Sequence, residues 1–132
     1  MKKAITRLGA GLAITGILVG GAGVAYAGTT YKSFSTTVGK ANGNGYTGTQ
    51  TKTTGGAYVQ FKGLTVGGSY QVDARAQEGD GSNSGAWKTN LDDGDSGNLS
   101  NDIDSGTSTR INFNNDLFTL VDVQVSGTWR SQ

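Results

Sequence analysis

The amino-acid sequence predicts a small all-β protein: an antiparallel β-sandwich of about seven or eight short strands that follows an N-terminal signal peptide. Apolar and polar residues alternate with a period of two beyond residue 28. Gly, Asn and Asp interrupt that alternation at short intervals, as turns between strands do. The chain has no proline, which suits a continuous sheet because proline removes a donor from the hydrogen-bond ladder.

The first residues have the features of a secretory signal peptide. The start of the chain is basic, residues 8–24 are apolar, and Ala25-Tyr26-Ala27 forms an A-x-A cleavage site. We therefore expect a signal peptide over 1–27 and a secreted β-sandwich domain over 28–132. Cleavage after Ala27 would place that domain outside the cell.

The composition of the mature chain excludes several classes of protein. Cleavage removes Lys2, Lys3 and Arg7, which leaves 8 Lys and Arg against 10 Asp and Glu, a net charge of −2 instead of +1. Such a chain lacks the electrostatic footprint of a nucleic-acid binder and the basic patch expected for anionic lipid. It has no cysteine, hence no disulfide and no thiolate metal site, and this favours a bacterial origin. No second apolar run follows the leader, so we expect no transmembrane span in the mature chain.

The first two strand candidates differ in character. Residues 31–38 alternate, with Phe34, Thr36 and Val38 on one face. After an Asn/Gly-rich turn, residues 46–54 alternate threonine with Gly, Gln and Lys and therefore have no apolar face. We expect this segment to be an edge strand that is exposed on both faces.

The next two strands have clear apolar faces. Residues 57–64 carry Val59 and Phe61 on one face, and Gly-Gly turns precede and follow them. In residues 69–77 the alternation is complete, with apolar side chains at every even position from Tyr70. That pattern is typical of an antiparallel strand with one face buried.

The middle of the mature chain is more polar. A polar loop covers 78–85, and a short strand around Trp87 covers 86–91. Residues 92–106 are acidic and contain several glycines. We expect a long exposed loop there, with one short strand near Leu99.

Two strands complete the sequence. In residues 107–114 the odd-numbered side chains from Thr109 face inward, and Arg110 and Asn112 face outward. Residues 117–129 are the longest candidate, but their apolar face changes side directly after Leu120. Because a shift of one residue moves side chains to the other face, we expect a bulge or a strand break at that point.

The inward faces together predict the hydrophobic core. Its members are Phe34, Val38, Val59, Phe61, Tyr70, Val72, Ala74, Trp87, Ile111, Phe113, Val121, Val123, Val125 and Trp129. About half of the mature residues are Gly, Ser, Thr or Asn, a composition that also fits disorder. The clean alternation and the regularly placed aromatic residues favour a folded domain.

The catalytic motifs in the chain lack their partners, so we expect no enzyme and no catalytic residue. Gly94-Asp95-Ser96-Gly97 copies the tetrapeptide around the nucleophile of trypsin-like serine proteases. A serine nucleophile needs a nearby base, usually histidine, and the chain has none. Glu78 is the only glutamate, and nothing in the sequence pairs it with a second carboxylate for glycoside hydrolysis.

The acidic segment suggests calcium as an alternative. Asp93, Asp95 and Asp104 occupy positions 1, 3 and 12 of an EF-hand-like loop. The glycine position holds Asn98 instead, and position 12 lacks the bidentate glutamate. We therefore predict a solvated loop, no metal site and no cofactor, and keep calcium binding as an alternative.

The end of the chain carries a resemblance. Residues 106–111 read Gly-Thr-Ser-Thr-Arg-Ile, Asn114-Asn115 forms a turn, and residues 123–129 read Val-Gln-Val-Ser-Gly-Thr-Trp. With its signal peptide and lack of cysteine, the chain resembles a family of small secreted Gram-positive proteins of unknown function. The resemblance implies the same compartment and β fold, and it brings no activity with it.

The sequence therefore favours a secreted, non-enzymatic β domain that binds a cell-envelope component, a partner protein or a second copy of itself. Self-association would use the edge strand at 46–54. One alternative is a bacteriocin-like or toxin-like antimicrobial protein. A second alternative is a calcium-dependent adhesive or carbohydrate-binding module, whose candidate sugar-stacking rings are Tyr46, Tyr58, Tyr70, Trp87 and Trp129.

Overall fold

A computed structural model of the chain describes residues 26–132, which form two β-sheets and no helix. The expected all-β sandwich is thus confirmed. The predicted leader lies outside the described residues except for Tyr26 and Ala27. Within the described part of the chain there is accordingly no helix of the length and hydrophobicity that crossing a membrane requires.

The strands follow each other along the chain with short connections. They are β1 Tyr26–Ala27, β2 Lys32–Val38, β3 Asn44–Tyr46, β4 Gln50–Thr51, β5 Val59–Val66, β6 Val72–Glu78, β7 Lys88–Leu91, β8 Gly97–Leu99, β9 Ser108–Asn115 and β10 Val123–Arg130. The short strand expected near Leu99 is β8. Most of the predicted strands are found within a few residues of their expected ends.

The larger sheet has the order β1-β4-β9-β6-β7, and β3 also pairs with β9. All of its pairings are antiparallel except that of β1 with β4. In the register, Asn112 on β9 lies opposite Tyr46 on one side and Arg75 on the other. These three side chains therefore share the outer face of the sheet.

The smaller sheet is antiparallel and has the order β2-β10-β5-β8. Its central strand β10 pairs Trp129 with Phe61 on β5 and with Lys32 on β2. A bulge interrupts the β10–β5 register between Ser126 and Thr128. It leaves Trp129 facing the core.

The core lies between the inner faces of the two sheets. Its buried apolar residues are Phe34, Val38, Val59, Phe61, Leu64, Val66, Val72, Ala74, Ala76, Leu91, Leu99, Ile103, Ile111, Phe113, Val123, Val125 and Trp129. Phe34 from the smaller sheet stacks on Phe113 from the larger one, with ring centroids 5.4 Å apart. Eleven of the fourteen core residues expected from the alternation are in this set.

Three of the expected core residues are exposed instead: Tyr70, Trp87 and Val121. Tyr70 and Trp87 precede their strands, which begin at Val72 and Lys88, so the period of two does not govern them. Val121 lies in the connection between β9 and β10. The strand expected over 117–129 is therefore wrong in its first part, and the break expected after Leu120 falls close to the true start at Val123.

The threonine-rich segment is not the single exposed edge strand that its pattern predicts. It divides between the end of β3 and β4, which both pair with β9. Gln50 and Lys52 are buried, because the end of the chain passes beside them and supplies backbone partners. Gln50 donates from Nε2 to the Trp129 carbonyl at 2.9 Å and accepts from the Ser131 amide at 3.0 Å. Alternation alone does not reveal such long-range partners.

Candidate functional site

Two surfaces of the sandwich present exposed side chains suited to binding. The first, here called the apolar loop, is the β9–β10 connection over residues 116–122. The second, here called the arginine face, lies on the outside of the larger sheet and comprises Tyr46, Arg75, Trp87 and Arg110.

The apolar loop exposes four large apolar side chains within five positions. The exposed fraction is 59% for Leu117, 89% for Phe118, 73% for Leu120 and 43% for Val121. Single exposed apolar residues are common on proteins, whereas a contiguous group of this kind makes the loop a candidate interaction surface. Tyr70, which is also exposed, lies in the β5–β6 connection at the same end of the sandwich.

The backbone of the apolar loop is tied down by hydrogen bonds. Thr119 donates its amide to the Asp116 carbonyl at 3.1 Å and accepts from the Ala41 amide at 2.7 Å. Asn115, which is fully buried, donates from Nδ2 to the Val121 carbonyl at 3.1 Å. The apolar side chains therefore project from a fixed backbone.

Acidic residues flank the apolar loop at its two ends. The Lys40 amide donates a hydrogen bond to Asp122 Oδ1 at 2.9 Å, and the Asn42 amide donates one to the Asp116 carbonyl at 3.3 Å. Lys40 is the one cationic residue of the adjoining β2–β3 turn over residues 39–43.

The arginine face is built from two stacked pairs. The Arg75 guanidinium lies over the Trp87 ring at 4.4 Å from its centroid, and the Arg110 guanidinium lies over the Tyr46 ring at 3.9 Å. Trp87 and Tyr46 keep 40% and 41% of their surface exposed. The outward direction of Arg110 and Asn112 is as the alternation predicts.

Buried amides hold both arginines of this face. Arg75 donates from Nε to Asn112 Oδ1 at 2.9 Å, and Arg110 donates from Nε to Gln77 Oε1 at 2.8 Å. Asn112 and Gln77 are only 1% and 5% exposed although they point outward from the sheet. The two amides thus lie beneath the stacked rings and guanidinium groups and hold the arginines by hydrogen bonds.

The calcium ligands that the sequence suggested do not come together. Asp93 accepts the Val66 amide at 2.9 Å, and Asp95 accepts the Asp92 amide at 2.8 Å, both in the β7–β8 connection. Asp104 lies in the β8–β9 connection, beyond the other end of β8. Among residues 26–132, no three Asp, Glu, His or Cys side chains gather as a metal site would require.

Ser96, from the protease-like tetrapeptide, has a structural hydrogen bond. Its Oγ accepts the Gly63 amide at 3.0 Å, which joins the β7–β8 connection to β5. This contact gives the serine a structural role in that turn.

An acidic depression of about 410 Å³ adjoins the arginine face and is lined by Glu78, Gly79, Asp80, Thr107 and Ser108. Ser82 donates from Oγ to Asp80 Oδ1 at 2.6 Å and also lies 3.4 Å from Glu78 Oε1. The side-chain hydrogen bond from Ser82 lowers the pKa of Asp80, so this exposed carboxylate is ionised at neutral pH. No pattern in the sequence indicates that Glu78 and Asp80 lie beside one hydroxyl donor.

The rings considered for sugar stacking have different positions. Trp129 is buried and is not available to a ligand. Tyr46 and Trp87 lie on the arginine face, whereas Tyr58 and Tyr70 are exposed near opposite ends of the sandwich. Comparison of the chain with protein-family models, with curated proteins and with solved structures finds no match.

Proposed function

We propose that this chain is a secreted, non-enzymatic β-sandwich domain that attaches to the cell envelope by inserting its apolar loop into a lipid bilayer surface. The exposure of Leu117, Phe118, Leu120 and Val121 on a fixed loop carries this proposal. The leader-like residues 1–27 support export. The lack of histidine and cysteine supports a binding role over nucleophilic catalysis.

The size and shape of the loop favour a lipid surface over a protein partner. Four side chains present a few hundred Å² of apolar surface, whereas a stable protein interface takes about 800 Å² from each partner. The loop also lies at the end of strands β9 and β10, and its Phe118 side chain is 89% exposed. A projecting apolar tip enters a deformable acyl layer more readily than it fits a second copy of itself.

Three backbone carbonyls of the apolar loop already have the hydrogen-bond partners that insertion into an apolar phase requires. Polar backbone groups are costly in an apolar phase unless they have partners. The carbonyls of Asp116, Thr119 and Val121 all accept hydrogen bonds from within the protein. The apolar side chains can therefore enter the acyl boundary without leaving these carbonyls unpaired.

The charges around the loop predict which lipids it prefers. Asp116 and Asp122 flank the loop and Lys40 adjoins it, so anionic headgroups gain little there. We expect binding to be driven by apolar contact and therefore to be insensitive to salt.

Flotation with phosphatidylcholine vesicles tests the proposal, with protein from which the leader has been removed. We expect the protein to float with the vesicles at low and at high salt. Replacement of Phe118 and Leu120 together by serine should weaken binding at least about tenfold, because each buried apolar side chain contributes roughly 1.5–3 kcal/mol.

The matched control is Tyr58→Ser, which removes an exposed ring at the other end of the sandwich and should leave flotation unchanged. Wild-type protein that stays with the buffer, or a double variant that floats as well as wild type, would refute the proposal.

The same loop also bears on the toxin-like alternative. Dye-loaded vesicles distinguish the two functions, because an attachment domain binds without opening the bilayer. We expect no dye release at protein concentrations that saturate binding. Release that is lost in the Phe118/Leu120 double variant would favour the antimicrobial function.

A further inference from the structure

We propose that the arginine face is a second binding site, for an acidic glycan whose carboxylate or phosphate groups pair with Arg75 and Arg110. The sugar rings of that glycan would lie against Tyr46 and Trp87. This site is on the outside of the larger sheet and does not involve the apolar loop.

The two arginines are held in place while their terminal nitrogens stay available. Each uses Nε to bind a buried amide, Asn112 Oδ1 for Arg75 and Gln77 Oε1 for Arg110. Within residues 26–132 the Nη atoms of these two arginines donate no hydrogen bond. Guanidinium groups that are fixed by stacking and by an amide lose little entropy when they bind carboxylate or phosphate.

The spacing of the face suits a short polymer. The pairing places Tyr46, Asn112 and Arg75 in one row across three strands, and Trp87 continues the row beside the start of β7. Adjacent strands are about 4.8 Å apart, so the row is roughly 14 Å long. Arg110 lies on β9 two residues before Asn112, so it faces the same side of the sheet and lies diagonally across from Arg75.

The surrounding charges favour a ligand with sparse charge. Asp73 lies next to Arg75 on β6, where it accepts the Asn90 amide, and Asp80 lies near Arg110. Single-stranded nucleic acid carries a phosphate on every nucleotide and is repelled by these carboxylates and by the negative mature chain. A glycan whose charged sugars alternate with neutral sugars can meet the two arginines and avoid the aspartates.

The smaller sheet provides a matched control for this chemistry. Arg130 also donates from Nε to an amide, Gln60 Oε1, at 2.8 Å, and it lies over the Tyr31 ring at 4.7 Å. Its Nη1 is already bound to the Thr29 carbonyl at 3.2 Å, and among the described residues of this sheet Tyr31 is the only ring that stacks with a cation. We therefore expect no glycan binding there.

Titration calorimetry with soluble probes tests the site without lipid. The probes are an oligosaccharide in which galacturonic acid alternates with a neutral sugar, an oligosaccharide in which sugar phosphates alternate with neutral sugars, a neutral dextran oligomer of similar length and single-stranded DNA. We expect one of the two acidic polymers to bind and to weaken with added salt, and the neutral oligomer not to bind. Which acidic polymer binds identifies carboxylate or phosphate as the ligand group.

The variants Arg75→Gln and Arg110→Gln should each weaken that binding about tenfold or more, whereas Arg130→Gln should not change it. If an arginine variant does not fold, Trp87→Ala and quenching of tryptophan fluorescence by the glycan in the wild-type protein replace it.

The proposal is wrong if no acidic glycan binds, if DNA binds more tightly, or if the three arginine variants bind equally. The Phe118/Leu120 double variant should keep glycan binding, so failure of this site and of the lipid proposal are separate results.

Discussion

The two tryptophans of the chain have opposite environments, and this difference gives a direct test of the core. Trp129 is 2% exposed between the sheets, and Trp87 is 40% exposed on the outer face. We expect Trp129→Ala to lower the free energy of unfolding by about 3–5 kcal/mol, because it removes a large buried side chain. Trp87→Ala should cost less than about 1 kcal/mol. Urea denaturation measures both, and equal losses would contradict the assigned core.

Lys52 is buried with backbone carbonyls as its partners, and this makes stability depend on pH. It donates from Nζ to the carbonyls of Ala57 and Ser131. Burial lowers the pKa of Lys52 from 10.5 to about 8. The unfolded chain therefore binds this proton more tightly than the folded one, so the penalty for burying the charge is present below pH 8 and is relieved as the pH rises.

We expect the free energy of unfolding to gain on the order of 1 kcal/mol from this lysine as the pH rises above about 8 toward 10.5, after allowance for solvent screening. Chemical denaturation across that range measures it. The Lys52→Met variant should lack this gain, and a variant with the same pH profile as wild type would contradict the assignment.

At the residue scale, the sequence predicts burial well where strands are regular. Val72 and Ala74 are buried as their alternation requires. Alternation fails for Gln50 and Lys52, whose burial depends on carbonyls from residues about eighty positions later. A pattern confined to neighbouring residues does not contain those partners.

At the scale of the elements, close approach between two connections depends on one glycine. A Cβ at Gly85 would lie 1.9 Å from the Ser100 carbonyl oxygen, so the backbone must move to accommodate it. We expect Gly85→Ala to lower the free energy of unfolding by about 1–3 kcal/mol. Gly48→Ala is the control, because nothing lies within 4 Å of the added carbon there. Thermal melting of the two variants tests this, and equal melting temperatures would contradict it.

The segment before β10 shows that an apolar run can form a loop instead of a strand. Residues 117–121 are apolar enough for a strand, but the parity change after Leu120 signals that they do not continue β10. In the structure, these residues form the apolar loop between β9 and β10. Four large apolar residues bracketed by Asp116 and Asp122, with no alternation, are the sequence signal for this loop. The alternation predicts the outward direction of Arg75 and Arg110 but wrongly assigns Trp87 to the core. The register of β9 with its neighbours, which a local pattern does not contain, sets which of these residues meet.

At the scale of the whole molecule, the start and the end of the folded part meet. The Gly28 carbonyl accepts the Gln132 amide at 2.7 Å, and a Cβ on Gly28 would lie 2.1 Å from Ser131 Oγ. Processing after Ala27 would remove β1 and leave Gly28 as the first residue. We expect protein recovered from the medium of a Gram-positive host to begin at Gly28, as measured by intact mass. A retained leader, or protein found only inside the cells, would contradict secretion.

The most direct test of the proposed function uses the absence of cysteine, since Phe118→Cys then creates a single site for an environment-sensitive dye. With the leader removed, the label at residue 118 should shift to shorter wavelength and brighten when phosphatidylcholine vesicles are added. The same label at Tyr58→Cys should not respond. An unchanged spectrum at residue 118, or an equal response at residue 58, would contradict insertion of the apolar loop into lipid.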